Sequence, residues 1–177
     1  MNNEELEILK DGQYLRLLKK GRWEFVERKG ITGIVVIIAI THDNKIILTE
    51  QFRPPVNRNV IELPAGLVGD IPGEEHESLE TAAKRELLEE TGYKAGKLTQ
   101  IFQGPPSAGL SKEIVTFFLA TDLVKDGHGG GDETEDIIVH SVKVAEFDTW
   151  INNKINEDLL VDPKIYAGLY FSLQYKT

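Results

Sequence analysis

Aliphatic and polar positions alternate weakly over residues 5–28, where Tyr14, Leu15, Leu17 and Leu18 are followed by Trp23, Phe25 and Val26. That spacing, with Gly21 as a turn, predicts two or three short strands. Residues 31–40 are nearly all β-branched or aliphatic, the composition of a strand buried on both faces. Turn residues fill 41–45, a partner strand is predicted at 46–48, and Pro54 and Pro55 break the ladder beyond it. Residues 61–66 read as a short strand that ends in a loop bounded by proline and glycine. A helix is predicted over 77–91, because Ala82, Ala83, Leu87 and Leu88 keep a 3.6-residue period and Gly92 suits a left-handed stop. Further strands are expected at 97–103, 114–120 and 137–142. The glycines of 127–131 mark a flexible loop before the last of these. Helices are expected over 144–155 and from Asp162-Pro163 onward, the latter starting on a cap followed by proline. Many strands between few helices predict an α+β or sandwich domain rather than a doubly wound sheet.

Composition narrows the chemistry. With 177 residues, 41% of them hydrophobic, the chain can bury one substantial core. There is no cysteine, which removes disulfides, thiolate metal sites and cysteine nucleophiles together. The four histidines show no paired spacing, so a metal here would be held by oxygen: Mg²⁺, Mn²⁺ or Ca²⁺. A net charge of -9 argues against nucleic acid or an anionic membrane as partner. The start, Met1-Asn2-Asn3-Glu4-Glu5, is acidic and is no signal peptide, and no apolar run approaches the ~20 residues of a membrane span. A soluble, cytoplasmic protein is expected.

The densest chemistry lies in the predicted helix. Glu86, Glu89 and Glu90 are related by i, i+3 and i+4, so their carboxylates share one side. Each like-charge pair costs an isolated helix roughly 0.2–0.5 kcal/mol, and acids near a helix C-terminus meet the unfavourable end of its dipole. A solvated acidic face and a divalent-cation site both fit this cluster on its own.

The order Gly66, Glu77, Arg85-Glu86-Leu87-Leu88-Glu89-Glu90-Thr91-Gly92 resembles the signature of the Nudix hydrolases. Residues 77–93 match it at every defined position. Ten residues separate Gly66 from Glu77 where that family usually has five. The flanks resemble its ADP-ribose and nucleoside-diphosphate-sugar pyrophosphatase branch: Trp23-Glu24 through Glu27-Arg28, Glu50-Gln51-Phe52-Arg53-Pro54-Pro55, and Glu62-Leu63-Pro64-Ala65-Gly66. The segment from Ser107 to Glu113 resembles that branch's Ser-Pro-Gly stretch, with Ala108 in place of its proline.

The resemblance implies an α/β/α sandwich with a mixed central sheet over 31–177 and an antiparallel β segment over 1–30. It implies metal-dependent hydrolysis of the diphosphate of ADP-ribose and other nucleoside diphosphate sugars, giving a nucleoside monophosphate and a sugar phosphate. Two or three Mg²⁺ or Mn²⁺ ions per site are implied, held by Glu86, Glu89, Glu90 and the Ala65 carbonyl. Arg85 would orient a glutamate bidentately. Glu77 either joins that ordering or is a plain N-terminal acid.

Because metal-bound carboxylates are poor bases, the base is expected on the 127–136 loop, where Glu133 and Glu135 both fit: Glu133 is preferred as base and Glu135 as an auxiliary metal ligand, unless the loop is merely acidic and solvated. For substrate, Trp23 would face the nucleobase or else fill a core, and Glu24 would accept from its amine. Arg28 and Arg53 would meet ribose or phosphate, with Gln51 and Glu113 as further contacts. A homodimer through the N-terminal segment is implied. The alternatives are a nucleoside triphosphate pyrophosphatase and a non-catalytic nucleotide-sugar sensor of the same fold. A Ca²⁺ module fails for want of a ligand loop of the right spacing.

Overall fold

The computed structural model describes residues 4–131 and 135–175. Three strands, β1 (Leu6–Asp11), β2 (Leu15–Lys20) and β3 (Trp23–Arg28), form an antiparallel sheet of their own. The hairpin between β2 and β3 turns on Gly21, whose φ of +57° suits glycine.

The main sheet begins with β4 (Gly33–Ile40), β5 (Lys45–Arg53), β6 (Arg58–Glu62) and β7 (Ala65–Val68). After helix α1 (Leu79–Thr91) come β8 (Tyr93–Gly104), β9 (Val115–Lys125) and β10 (Ile138–Lys143). A 3-10 turn at Val144–Glu146 leads into α2 (Phe147–Asn156), the two-residue β11 (Leu160–Val161) and α3 (Lys164–Gln174). The strand order is β11-β6-β5-β4-β9-β8, with β10 beside β5 and β7 beside β4. Because β4/β9 and β6/β11 run parallel and the other pairs antiparallel, the sheet is mixed.

The unbroken aliphatic run of β4 has its cause in the two layers around it. Val35, Ile37 and Ala39 face Ala82, Ala83 and Leu87 of α1, while Val36 and Ile38 share a second core with Phe147, Ile151 and Ile165 of α2 and α3. Alternate side chains are thus buried on opposite faces.

Several boundaries differ from those the pattern predicts. Strand β5 runs six residues past 46–48 at its far end and start combined, because polar Thr49, Glu50 and Gln51 are buried within it. Glu50 is satisfied there by Asn59 at 3.0 Å and by His140 at 2.8 Å. Strands β8 and β9 are likewise longer than expected, pairing from Tyr93↔Lys125 to Gly104↔Val115. Helix α1 starts at Leu79 rather than 77: Ser78 is its N-cap and accepts from the Thr81 amide at 3.1 Å. At the other end Gly92 has φ +71° and its N–H reaches the Leu88 carbonyl, as the stop signal requires. No helix among the described residues is long and apolar enough to cross a membrane.

Candidate active site

The cleft that matters lies where α1 crosses β7. Glu90 is almost fully buried and accepts the Ala65 N–H at 3.1 Å. One turn back, Glu86 packs against the bare face of Gly66: a Cβ there would sit 1.9 Å from the Glu86 carboxyl carbon. Glycine at 66 is therefore a space requirement set by the carboxylate.

Arg85 organises the acids around it. Its Nη2 donates to Glu77 Oε1 at 2.9 Å and to the Leu67 carbonyl at 3.1 Å. Its Nη1 donates to Glu86 Oε1 at 2.8 Å and Glu89 Oε2 at 3.2 Å. Glu77, outside the helix and with its side chain 3% exposed, also accepts the Gly69 N–H at 3.1 Å. Of its two expected roles, Glu77 thus takes the ordering one. The same bond explains how ten residues fit between Gly66 and Glu77. Glu77 ties Gly69 to the helix start, so 70–76 form an excursion that leaves the helix register intact.

The electrostatics are those of a site built for positive charge. Burial pushes Glu86 up to about 7; the Arg85 guanidinium pulls it down, and Glu89 and Asp70 push it further up. Burial raises Glu90 well above the carboxylate range, and Glu86 adds to that. Glu77 is held low despite its burial, because Arg85 and the Gly69 amide stabilise its charge.

The cleft in front of Glu86 and Glu90 has a volume of about 670 Å³. Arg28 and Arg53 line it, each engaged by an acid: Arg28 with Glu113 at 3.0 Å and Arg53 with Glu62 at 2.6 Å. Asp70, Glu135 and Lys164 complete its charged wall. Sequence reasoning passed over Glu62, Asp70 and Lys164. Glu62 and Lys164 stand next to recognised punctuation, Pro64 and Asp162-Pro163, but only the fold turns them to one cleft.

Other expected residues lie elsewhere. Gln51 is buried in β5 and does not line the cleft. Trp23 and Glu24 are on β3, away from it. Trp23 is 55% exposed and lines a separate groove of about 440 Å³ with Phe25, Gly109 and Ser111. Glu133 lies outside the described residues.

Among the described residues no three carboxylates or imidazoles converge on one point as a ready-made metal site. Glu89 turns outward to Arg85, and its side chain is 48% exposed. The donor set nonetheless fits a hard divalent cation. Two adjacent carboxylates, Glu90 buried and Glu86 largely so, lack sufficient counter-charge, and the described cleft wall offers oxygen donors with neither sulfur nor imidazole.

Fold and cleft together define a mixed-sheet α/β/α protein with an acidic cleft beside a helix packed on one face of the sheet. The chain belongs to the NUDIX domain family, whose model matches residues 31–159. It is 46% identical over 91 residues to an ADP-ribose pyrophosphatase of Bacillus subtilis (strain 168), covering 51% of this chain and 46% of that protein, so the match spans about half of that relative's length. It is 38% identical over 188 residues to an ADP-sugar pyrophosphatase of Mus musculus, covering 91% of this chain and 82% of the relative. A solved structure described as an ADP compounds hydrolase shares the fold, with a TM-score of 0.68 at 18% identity, over 97% of this chain and 91% of its own.

Proposed function

We propose that the protein hydrolyses the diphosphate bond of ADP-ribose and other nucleoside diphosphate sugars, releasing a nucleoside monophosphate and a sugar phosphate. The observation that carries this is the Glu86–Glu90 pair, Glu86 seated against Gly66 and ordered by Arg85 and Glu90 buried on the Ala65 amide, inside a cleft that also presents Arg28, Arg53 and Lys164. The relatives' names, ADP-ribose and ADP-sugar pyrophosphatase, support the substrate class.

Glu86, Glu89 and Glu90, with the Ala65 carbonyl, would hold two or three Mg²⁺ or Mn²⁺ ions. The chemistry supplied there is neutralisation of the diphosphate and a lowered pKa for the attacking water. Arg85 keeps the glutamates in place, and Arg28 and Arg53 exchange their present carboxylate partners for substrate oxygens. Glu133 takes the proton from water, and Glu135, which lines the cleft, assists as an auxiliary ligand.

The active form is a homodimer built through the N-terminal sheet. Leu6, Ile8, Tyr14 and Trp23 are each at least half exposed in a single chain, which supports a covering partner. In that assembly Trp23 and Glu24 would serve the neighbouring subunit's nucleobase, which accounts for their distance from the cleft of their own chain.

The test is a substrate panel with Mg²⁺: ADP-ribose, GDP-mannose, UDP-glucose, diadenosine polyphosphates and nucleoside triphosphates. Nucleoside monophosphate plus sugar phosphate is expected. Pyrophosphate released from triphosphates, or binding without turnover, would overturn the proposal.

A further inference from the structure

The glycine run at 127–131 reads in sequence as a flexible loop, but its backbone lies directly on the C-terminal turn of α1. Gly130 N–H donates to the Glu90 carbonyl at 2.8 Å and Gly131 N–H to the Glu89 carbonyl at 3.2 Å. Asp126 and Gly127 both donate to the Gly92 carbonyl, at 2.9 and 3.1 Å. Lys125 Nζ reaches the Thr91 carbonyl at 2.6 Å and the His128 carbonyl at 3.3 Å. Carbonyls that a helix end leaves without partners are thus taken up by one following segment.

So close an approach needs glycine on both sides. A Cβ on Gly92 would lie 2.3 Å from the Gly127 carbonyl oxygen, and one on Gly129 would lie 2.5 Å from the Thr91 carbonyl carbon. Gly129, Gly130 and Gly131 take φ of +73°, +113° and +82°, a run that L side chains resist. A hinge would show the opposite construction, with amides open to water and room for side chains. Past the glycines the chain is held again. Ile137 N–H returns to the Gly130 carbonyl at 3.2 Å, and Glu135 lies over Gly131, where a Cβ would come within 2.6 Å of it.

We propose that residues 125–131 are a positioning clamp, locking the root of the acidic loop to the turn that carries Glu89 and Glu90 and so fixing Glu135 at the cleft. The inference rests on the catalytic reading of that cleft. The helix side of the clamp cannot yield, because Ala82, Ala83 and Leu87 anchor α1 with no exposed surface. A side chain at 129 therefore displaces the loop and leaves Glu86 and Glu90 in place.

The experiment compares Gly129→Ala with Gly30→Ala in the full chain. Gly30 has φ +70° and nothing within 4 Å of a Cβ, so it reports backbone strain without the collision. In Gly129→Ala, kcat on ADP-ribose should fall about tenfold or more, with KM and calorimetric Mn²⁺ affinity held within about threefold. The Gly130 and Gly131 amides should exchange with solvent about tenfold faster than in the native protein. Lys125→Met, which removes the Nζ hydrogen bonds and the ammonium's contact with the Tyr93 ring at 4.7 Å, should give the same pattern more weakly and guards against a variant that does not fold. Unchanged amide exchange overturns the clamp. So does a kcat no lower than that of Gly30→Ala, or a joint collapse of Mn²⁺ affinity, KM and kcat. If the native protein turns over none of the nucleotide sugars, the functional reading fails, and amide exchange alone decides the clamp.

Discussion

Glu86 and Glu90 are costly residues for this fold in the absence of a cation. Glu90 is buried and Glu86 largely so beside it, and Arg85, the Ala65 amide and, for Glu90, Arg53 offset their charge. For Glu86 the folded pKa of about 7 stands above the ordinary 4.5, chiefly through burial. Between those values the folded state binds a proton that the unfolded chain has released. The contribution of Glu86 to stability is therefore fullest below about 4.5 and is lost as pH rises through 7. Metal-free Glu86→Gln should accordingly melt above the native protein at pH 8, with the difference shrinking toward pH 4.5; Glu90→Gln should behave the same way. Both variants should lose most Mn²⁺ affinity and turnover, the usual opposition of stability and activity at a charged site. Thermal melts in chelator across that pH range check this, and a Gln variant less stable than the native protein at pH 8 would contradict it.

At the scale of elements, the site is the meeting of α1 with β7, and Glu77 and Gly66 hold that meeting. Glu77→Ala leaves Arg85 without its buried bidentate partner and should cost about 3–5 kcal/mol in urea unfolding, the range for breaking a buried ion pair. Glu77→Gln, which can still accept the Gly69 N–H, should cost less. Gly66→Ala should fold but push the Glu86 carboxylate aside, weakening Mn²⁺ binding about 10–100-fold by calorimetry, as outer contacts of metal ligands do. The acidic helix, its Gly92 stop and the β4 strand were legible in the sequence because each rests on local periodicity or one punctuating residue. The true extent of β5 was not. Glu50 looks like a strand end until its partners are known, and these lie 9 and 90 residues away, at Asn59 and His140. The contacts of the glycine run were hidden for the same reason, since its hydrogen-bond partners lie at the end of a helix some 40 residues earlier in the chain.

At the scale of the whole molecule, the N-terminal sheet poses the remaining physical problem. Strand β1 is exposed along its full length, and among β2 residues only Leu18 is buried. The sheet is tied to the main body through Val26, whose N–H and carbonyl bond Leu110 and Lys112, and through the Lys112–Glu27 ion pair at 2.5 Å. Three strands need a covered apolar face for stability, and one chain does not cover this one. The same sheet holds Trp23 beside the 107–112 segment, outside the cleft of Glu86 and Glu90. In the proposed dimer a second copy would cover the sheet and bring Trp23 to a site. Removal of residues 1–30 should therefore yield a monomer by sedimentation and raise KM for ADP-ribose. It should leave Mn²⁺ affinity near native, since Glu86 and Glu90 sit wholly within the retained sheet and helix. Trp23→Ala in the full chain should raise KM without dissociating the dimer, by about the 1–3 kcal/mol of a lost base–aromatic stack. If the truncated protein stays dimeric and fully active, the N-terminal sheet serves neither assembly nor substrate.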